Sequence, residues 1–410
     1  MKNNNRESGE IYLERVEDAF WEAACEGDWV NFRSQSRLSG EIYDVVERTR
    51  KLIAKGKYEP AIEIAFAIMR NGVELVNHND DSYGYLGSIM RYGTELLNKL
   101  VSEQLDEDCR ELFEDECWEC IDKKLFYGWD WHADMYGYLA HLAESPADCK
   151  KIVERLEKDP KFQSDFYKDR LHTITLQLKE KSDGSKAAHE YMMQNLQVKE
   201  FRERAVKEAI QQKDYPLAYR LCEEGIAIER YSDTWHQLLL EAAQSEGNRE
   251  RIIEQARYLY LDAFVDYQDY YTILKKNVPK DSWPAFAESL AEDARESHCT
   301  EQYVNLCVCE GWHDRLLEFI DACHDIRILQ KNESILLPSH KDEVEELYVK
   351  HIYHLMECSR NRSTYVDICH YLKHIRELGA ADLVTTTVAT LRTKYKRCRL
   401  LMEMLNNMNC

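Results

Sequence analysis

"IAKGKYEPA" (residues 53–61) and "IQQKDYPLA" (residues 210–218) carry the same three residues at the same spacing: Ile53, Tyr58 and Ala61 in the first, Ile210, Tyr215 and Ala218 in the second. In both, an amphipathic segment runs into a Lys/Asp/Gly-rich corner. A second segment then leaves with a small residue facing the first. Such hairpins cannot close a core alone and bury their apolar faces by stacking on neighbours. The pattern predicts an all-α chain, an α-solenoid of stacked antiparallel helical hairpins of the TPR/HEAT-like kind.

Composition agrees. The 410 residues include only 15 glycines and 7 prolines, glycine being about half its ordinary share of roughly 7%. Sheets and long loops draw on both residues for their turns, so their scarcity argues for helix after helix. Leu, Ala, Glu, Lys and Arg fill the intervals, and all are good helix formers. The apolar residues of the second helix of the first hairpin, Ala61, Ile64, Ala65, Ile68 and Met69, recur at the spacing of one buried stripe.

No apolar run approaches the ~20 residues needed to cross a bilayer, and Met1 to Gly9 is polar and asparagine-rich. A cytoplasmic protein without a secretory signal or membrane partner is expected. The 14 cysteines are scattered through helical segments of a large chain, as thiols used for packing in a reducing compartment would be. A net charge of −21 opposes generic binding to nucleic acid or an anionic membrane. The boundaries expected are a disordered polar tail over 1–9, a helical-repeat half over 10–182, and a second half over 187–410. Between the halves lies "KSDGSK" (Lys181 to Lys186), whose Ser, Asp and Gly break the helical pattern.

From about Tyr271 onward the chain resembles the C-terminal helical region of bacterial SWIM zinc-finger family proteins. The likeness rests on "YTILKK…W" (Tyr271 to Trp283), "YVNLCVCEGWHDRLLEFI" (Tyr303 to Ile320), "ELYVKHIYHLME" (from Glu346), "YLKHIRELG" (Tyr371 to Gly379) and "LRTKYKRCRLLMEML" (Leu391 to Leu405). The "DDSYGYLG" loop (Asp80 to Gly87) is similar to a turn of that family. The family's Cys-x-Cys and Cys-x-His ligands are not reproduced: Cys307 and Cys309 lie in a helical stripe, and Cys323 and His324 are adjacent. The resemblance thus implies the helical scaffold without the finger, and a partner in a nucleic-acid-handling or defence complex.

Several side-chain groups invite a functional reading. Cys117 and Cys120 have the spacing of zinc and redox pairs, but fall in mid-helix among carboxylates with no second pair. His351 and His354, then His370 and His374, share faces of consecutive helices and form a weak metal candidate, though "HYLKH" lacks the Glu of a metalloprotease helix. Asp80 and Asp81 read as turn chemistry rather than a calcium loop. Arg392, Lys394, Lys396, Arg397 and Arg399 surround Tyr395 in the one basic cluster. They are nucleic-acid candidates, but the net charge favours the structural reading, in which they supply the positive charge that suits a helix C-terminus. Ten carboxylates between Glu103 and Asp122 read as a solvated face. Tyr258, Tyr267, Tyr270 and Tyr271 are the candidate anchors for a partner, since tyrosine offers large contact area at low entropic cost.

Together these readings favour a non-catalytic protein–protein interaction scaffold, a subunit or adaptor of a larger complex, with no cofactor and another protein as partner. The alternative is a nucleic-acid-associated protein working through its C-terminal basic helix. A metal-dependent hydrolase built on the four histidines is the remaining enzymatic reading.

Overall fold

The computed structural model describes residues 3–25, 30–229, 232–262 and 267–407, with the side chains of the first helix described from 10 to 23. The chain divides into two compact units, residues 1–205 and 206–410. All regular structure among the described residues is helical. Unit 1 contains α1 (Asn3–Cys25), α2 (Phe32–Ile53), α3 (Tyr58–His78), α4 (Tyr85–Val101), α5 (Glu107–Asp122), α6 (Trp131–Leu142), α7 (Pro146–Lys158), a 3₁₀ turn (Pro160–Gln163), α8 (Asp165–Asp183) and α9 (Ser185–Gln194). α10 (Lys199–Gln211) carries the division between units. Unit 2 continues with α11 (Tyr215–Ile228), α12 (Asp233–Glu246), α13 (Arg249–Asp262), α14 (Tyr267–Asn277), α15 (Trp283–Glu296) and α16 (Thr300–Glu310). It ends with α17 (His313–Cys323), α18 (Ile326–Cys358), α19 (Arg362–Glu377), α20 (Ala381–Lys394) and α21 (Arg399–Asn407).

Each unit is a stack of helical hairpins. In unit 1, α1, α3 and α5 pack in one row and α2, α4, α6 and α8 in another, with consecutive helices bridging the rows. The expected stripe of α3 is the core between them: Ala61, Ile64, Ala65 and Ile68 are all fully buried. In unit 2 each helix from α11 to α14 packs on the next, α13 reaches α15, and the succession resumes from α15 through α20. α18 bends at His340 (φ −135°, ψ 41°), two residues after Pro338, where the pyrrolidine ring removes a helix hydrogen bond.

The paired motifs that open the sequence have one physical cause. At Gly56 (φ +68°) and Lys213 (φ +60°) the chain adopts the left-handed conformation. The next amide then donates to the carbonyl five residues back: Lys57 N to Leu52 O at 3.0 Å, and Asp214 N to Ala209 O at 2.8 Å. This is a Schellman ending, which satisfies orphan carbonyls and reverses the chain. The same bond recurs after Gly247 (Asn248 N to Ala243 O, 2.9 Å) and Gly311 (Trp312 N to Cys307 O, 2.8 Å). Tyr58 and Tyr215 each begin the following helix, and Tyr215 ties its hydroxyl to Ser245 O at 2.9 Å.

Two boundaries differ from those the sequence suggested. α1 already has helical backbone from Asn3, inside the stretch assigned to a polar tail. The sequence also suggests that the first helix ends near Gly27, a position outside the described residues. "KSDGSK" is a corner within unit 1, where α8 and α9 are separated by Gly184 alone and pack on each other. The Ser, Asp and Gly there interrupt a helix without interrupting the core, since Ala188 and Met192 of α9 are buried.

No helix among the described residues is long and apolar enough to cross a membrane. The twelve cysteines whose side chains are described are all free.

Candidate partner-binding groove

In unit 2, α14, α16 and α18 together line a groove of about 410 Å³. Its floor is apolar, from Val304 and Val308 on α16 and Ile328 on α18. Its polar groups come from the same three helices. Tyr267, at the start of α14, donates its hydroxyl to Glu301 at 3.4 Å. Buried Tyr260 of α13 donates to Gln302 O at 2.6 Å and to Asn305 Oδ1 at 3.3 Å. Among the described residues the Asn305 NH₂ therefore has no partner and borders the groove. Asn332 shows the reverse polarity: its Nδ2 donates to Ile328 O at 2.8 Å, leaving Oδ1 as an acceptor.

Charge is set by the start of α18. Asp325 caps the helix by accepting from Arg327 N. It also receives the Arg327 guanidinium as a fork, Nε to Oδ1 at 2.9 Å and Nη2 to Oδ2 at 2.7 Å. That fork holds the Asp325 carboxyl below the usual range. One turn on, Lys331 is exposed and makes no ion pair among the described residues. The groove thus offers an apolar floor, an amide donor, an amide acceptor and an ammonium. A cavity of this size with a few convergent polar groups has the dimensions of a ligand pocket.

Of the four candidate tyrosines, only Tyr267 borders this groove. Tyr258 stacks on His236, with centroids 3.7 Å apart and planes at 19°. Its hydrogen bond to Asp262, with burial, pushes the phenol up to about 12. Tyr270 faces Gln237 at 3.5 Å. Tyr271 donates to Glu310 at 2.5 Å and meets Trp283 edge-on at 5.8 Å. Asn305, Lys331 and Asn332 were missed in the sequence. The available signal was an asparagine inside each of two helices, a residue that favours caps and turns over helix interiors.

The histidines do not converge. His374 Nε2 pairs with Glu333 at 2.6 Å, and Tyr348 donates to the same carboxylate oxygen at 2.5 Å. His354 stacks on His324 at 4.9 Å and meets the Cys358 thiol at 3.4 Å. His351 and His370 each pack against Tyr371. The void beside His324 and His351 is about 20 Å³, room for roughly one water. Among the described residues no group of three or more His, Cys, Asp or Glu is placed to hold a metal ion.

Cys117 and Cys120 are both fully buried in α5; burial pushes the Cys120 thiol up to about 12 and that of Cys117 well upward. Cys307 is buried while Cys309, Cys323 and Cys358 are exposed. Asp81 caps α4, accepting from Leu86 N at 2.9 Å and Gly87 N at 2.7 Å. Much of the acidic run is engaged: Glu116 by Arg70, Glu119 by Lys123, and Asp122 by Arg155.

The basic cluster is split. Arg392 donates to Asn406 Oδ1 at 2.9 Å, Lys394 lies 3.8 Å from Glu357, and both sit in the last turn of α20. Tyr395 is buried beneath Arg360, whose guanidinium lies 5.4 Å from the ring. Lys396, Arg397 and Arg399 are exposed, without an ion pair among the described residues.

No protein-family model matches the chain, and no curated protein matches it. Among solved structures, a circular tandem repeat protein with novel repeat topology and enhanced subunit contact surfaces aligns over 100% of both chains at 16% identity, with a TM-score of 0.23. A superposition that loose carries no argument. The all-α reading stands on the chain's own helices.

Proposed function

We propose that this protein is a non-catalytic interaction scaffold, an adaptor or subunit of a larger cytosolic complex, and that the groove across α14, α16 and α18 receives an extended segment of a protein partner. The observation that carries the reading is the groove's inventory: an apolar floor flanked by the unpaired Asn305 NH₂ and the unpaired Lys331 ammonium. Amide donors and acceptors suit a peptide backbone, and the ammonium suits a carboxylate on the partner. The test is affinity capture from source cells with nuclease present, comparing the natural chain with Lys331→Glu and Tyr267→Ala. A stoichiometric protein that is retained by the natural chain and lost from both variants supports the reading. Equal retention by all three removes the groove from it.

A second reading rests on Lys396, Arg397 and Arg399, which are exposed and make no ion pair among the described residues. It requires binding to a nucleic acid that weakens steeply with salt and is abolished by Arg397→Glu with Arg399→Glu.

A further inference from the structure

We propose that unit 1 carries a separate docking edge for a proline-rich, basic polypeptide segment in the polyproline II conformation. The edge is formed by the N-terminal ends of α2, α4, α6 and α8, which pack side by side. Each of these ends presents an exposed aromatic ring within two residues of its first residue: Phe32 (45% exposed), Tyr83 (69%), Trp129 (37%) and Phe166 (79%). Among the described residues of unit 2 the exposed large apolar side chains are aliphatic: Ile228, Ile335, Val366 and Leu400. An unpaired aromatic at one helix end is ordinary; the same feature at four adjacent ends is a surface.

The rings are held in place. Phe32 meets Tyr83 edge-on at 4.4 Å and Tyr85 at 5.5 Å. Trp129 stacks on Trp131 at 5.1 Å and donates its indole N–H to Asn77 at 2.8 Å, joining the α5–α6 connection to the end of α3. Tyr167 donates to Asp130 at 2.8 Å and holds Phe166 edge-on at 4.9 Å. Buried Lys161 braces this corner from beneath, donating to the carbonyls of Tyr127 and Trp129 at 2.7 Å each. Such preordered rings bind without first losing side-chain freedom.

Spacing selects the occupant. Packed helices lie about 8–10 Å apart, and a polyproline II strand repeats every three residues, roughly 9 Å. One residue in three would meet each successive helix end, and about twelve residues would span the four ends. Charge selects the rest. Asp80, Asp81 and Asp130 stand at this edge without an ion pair, whereas Lys168 and Arg170 are already paired with Asp165 and Asp134. Arg33 and Lys124 are exposed at this edge without an ion pair among the described residues, so the three carboxylates exceed them by one. The surplus favours arginine or lysine between the prolines and opposes a phosphate backbone laid along the same rings.

The experiment titrates the full chain with a peptide of about twelve residues repeating Pro-Pro-Arg, and separately with a Gly-Ser-Arg repeat of equal length and charge, and with oligothymidylate. Saturable binding of the proline peptide, weakened about tenfold or more by Tyr83→Ala with Phe166→Ala, is the expected result. Both side chains are mostly exposed, so the double variant should keep its helical circular dichroism. Tyr43→Ala, a ring in the body of α2, and Lys331→Glu, in the groove of unit 2, should leave the affinity unchanged. Failure of either docking site is therefore distinguishable from failure of the other. Equal binding of the Gly-Ser-Arg peptide, indifference to the double variant, or tighter binding of oligothymidylate to the same rings would overturn the proposal.

Discussion

His132 shows what a single buried polar residue costs and contributes. It is 1% exposed, and its Nε2 meets Asp159 at 2.8 Å. Tyr136 donates to the same carboxylate at 3.0 Å, and the opposite imidazole nitrogen is buried without a partner. Burial holds the imidazole below its ordinary 6.5, although the bond to Asp159 pulls the other way. Burial would raise the Asp159 carboxyl, but the bonds from His132, from Lys161 N and from Tyr136 outweigh it and lower it below 3.8. The linkage follows. Below pH 6.5 the unfolded chain takes up a proton at His132 that the native chain refuses, so stability falls as the pH drops from 6.5 toward the native value. The Asp159 contribution is present above pH 3.8 and disappears as pH falls through its lowered native value. His132→Gln keeps a side-chain donor to Asp159 while removing the titration. Its melting temperature should decline less steeply below pH 6.5 than that of the natural chain; parallel pH profiles would refute the assignment. Nothing in the sequence marked this residue, because "YGWDWH" shows neither Asp159 nor the burial that gives the histidine its character.

At the scale of elements, close approach of helices depends on glycines whose replacement costs differ. A Cβ on Gly225 of α11 would stand 2.4 Å from the Trp235 ring on α12. That ring is 1% exposed, and its N–H lies 3.3 Å from Glu229, so it has no room to yield. On Gly93 of α4 the added atom would meet the Met69 sulfur at 2.7 Å, and methionine is the side chain best able to adjust. Gly225→Ala should cost about 1–3 kcal/mol as overpacking. Gly93→Ala should cost less, since Met69 can move although Ile68 Cγ2 would stand 3.3 Å away, and helix propensity returns up to about 1 kcal/mol. Urea midpoints decide this, and equal losses would show that the neighbours' rigidity is irrelevant. The Ala61–Met69 stripe was legible in sequence, as were the turns at Gly56 and Lys213, because both are local patterns. The Asn305 and Lys331 groups were not, because the groove they border assembles from three helices separated in the chain.

For the whole molecule, periodicity told how the chain packs but not where its units divide. The Ser-Asp-Gly stretch at Lys181 to Lys186 resembled a linker, yet the division lies inside α10, between Ala205 and Val206. Helical continuity carries no trace of such a boundary, since it depends on which side each helix buries its stripe. The two units nonetheless make a prediction. In stacked hairpins stability is shared between neighbours, so local damage should stay local. Gly225→Ala acts on α11 and α12, which pack within unit 2 together with α13. Amide hydrogen exchange should therefore speed up across α11, α12 and α13 in the variant. Protection in α3 and α4, whose core includes the fully buried Ile64, Phe66 and Ile89, should be unchanged. Uniform loss of protection across both sets would mean that the chain unfolds as one cooperative body, and the nearest-neighbour account of its stability would have to be abandoned.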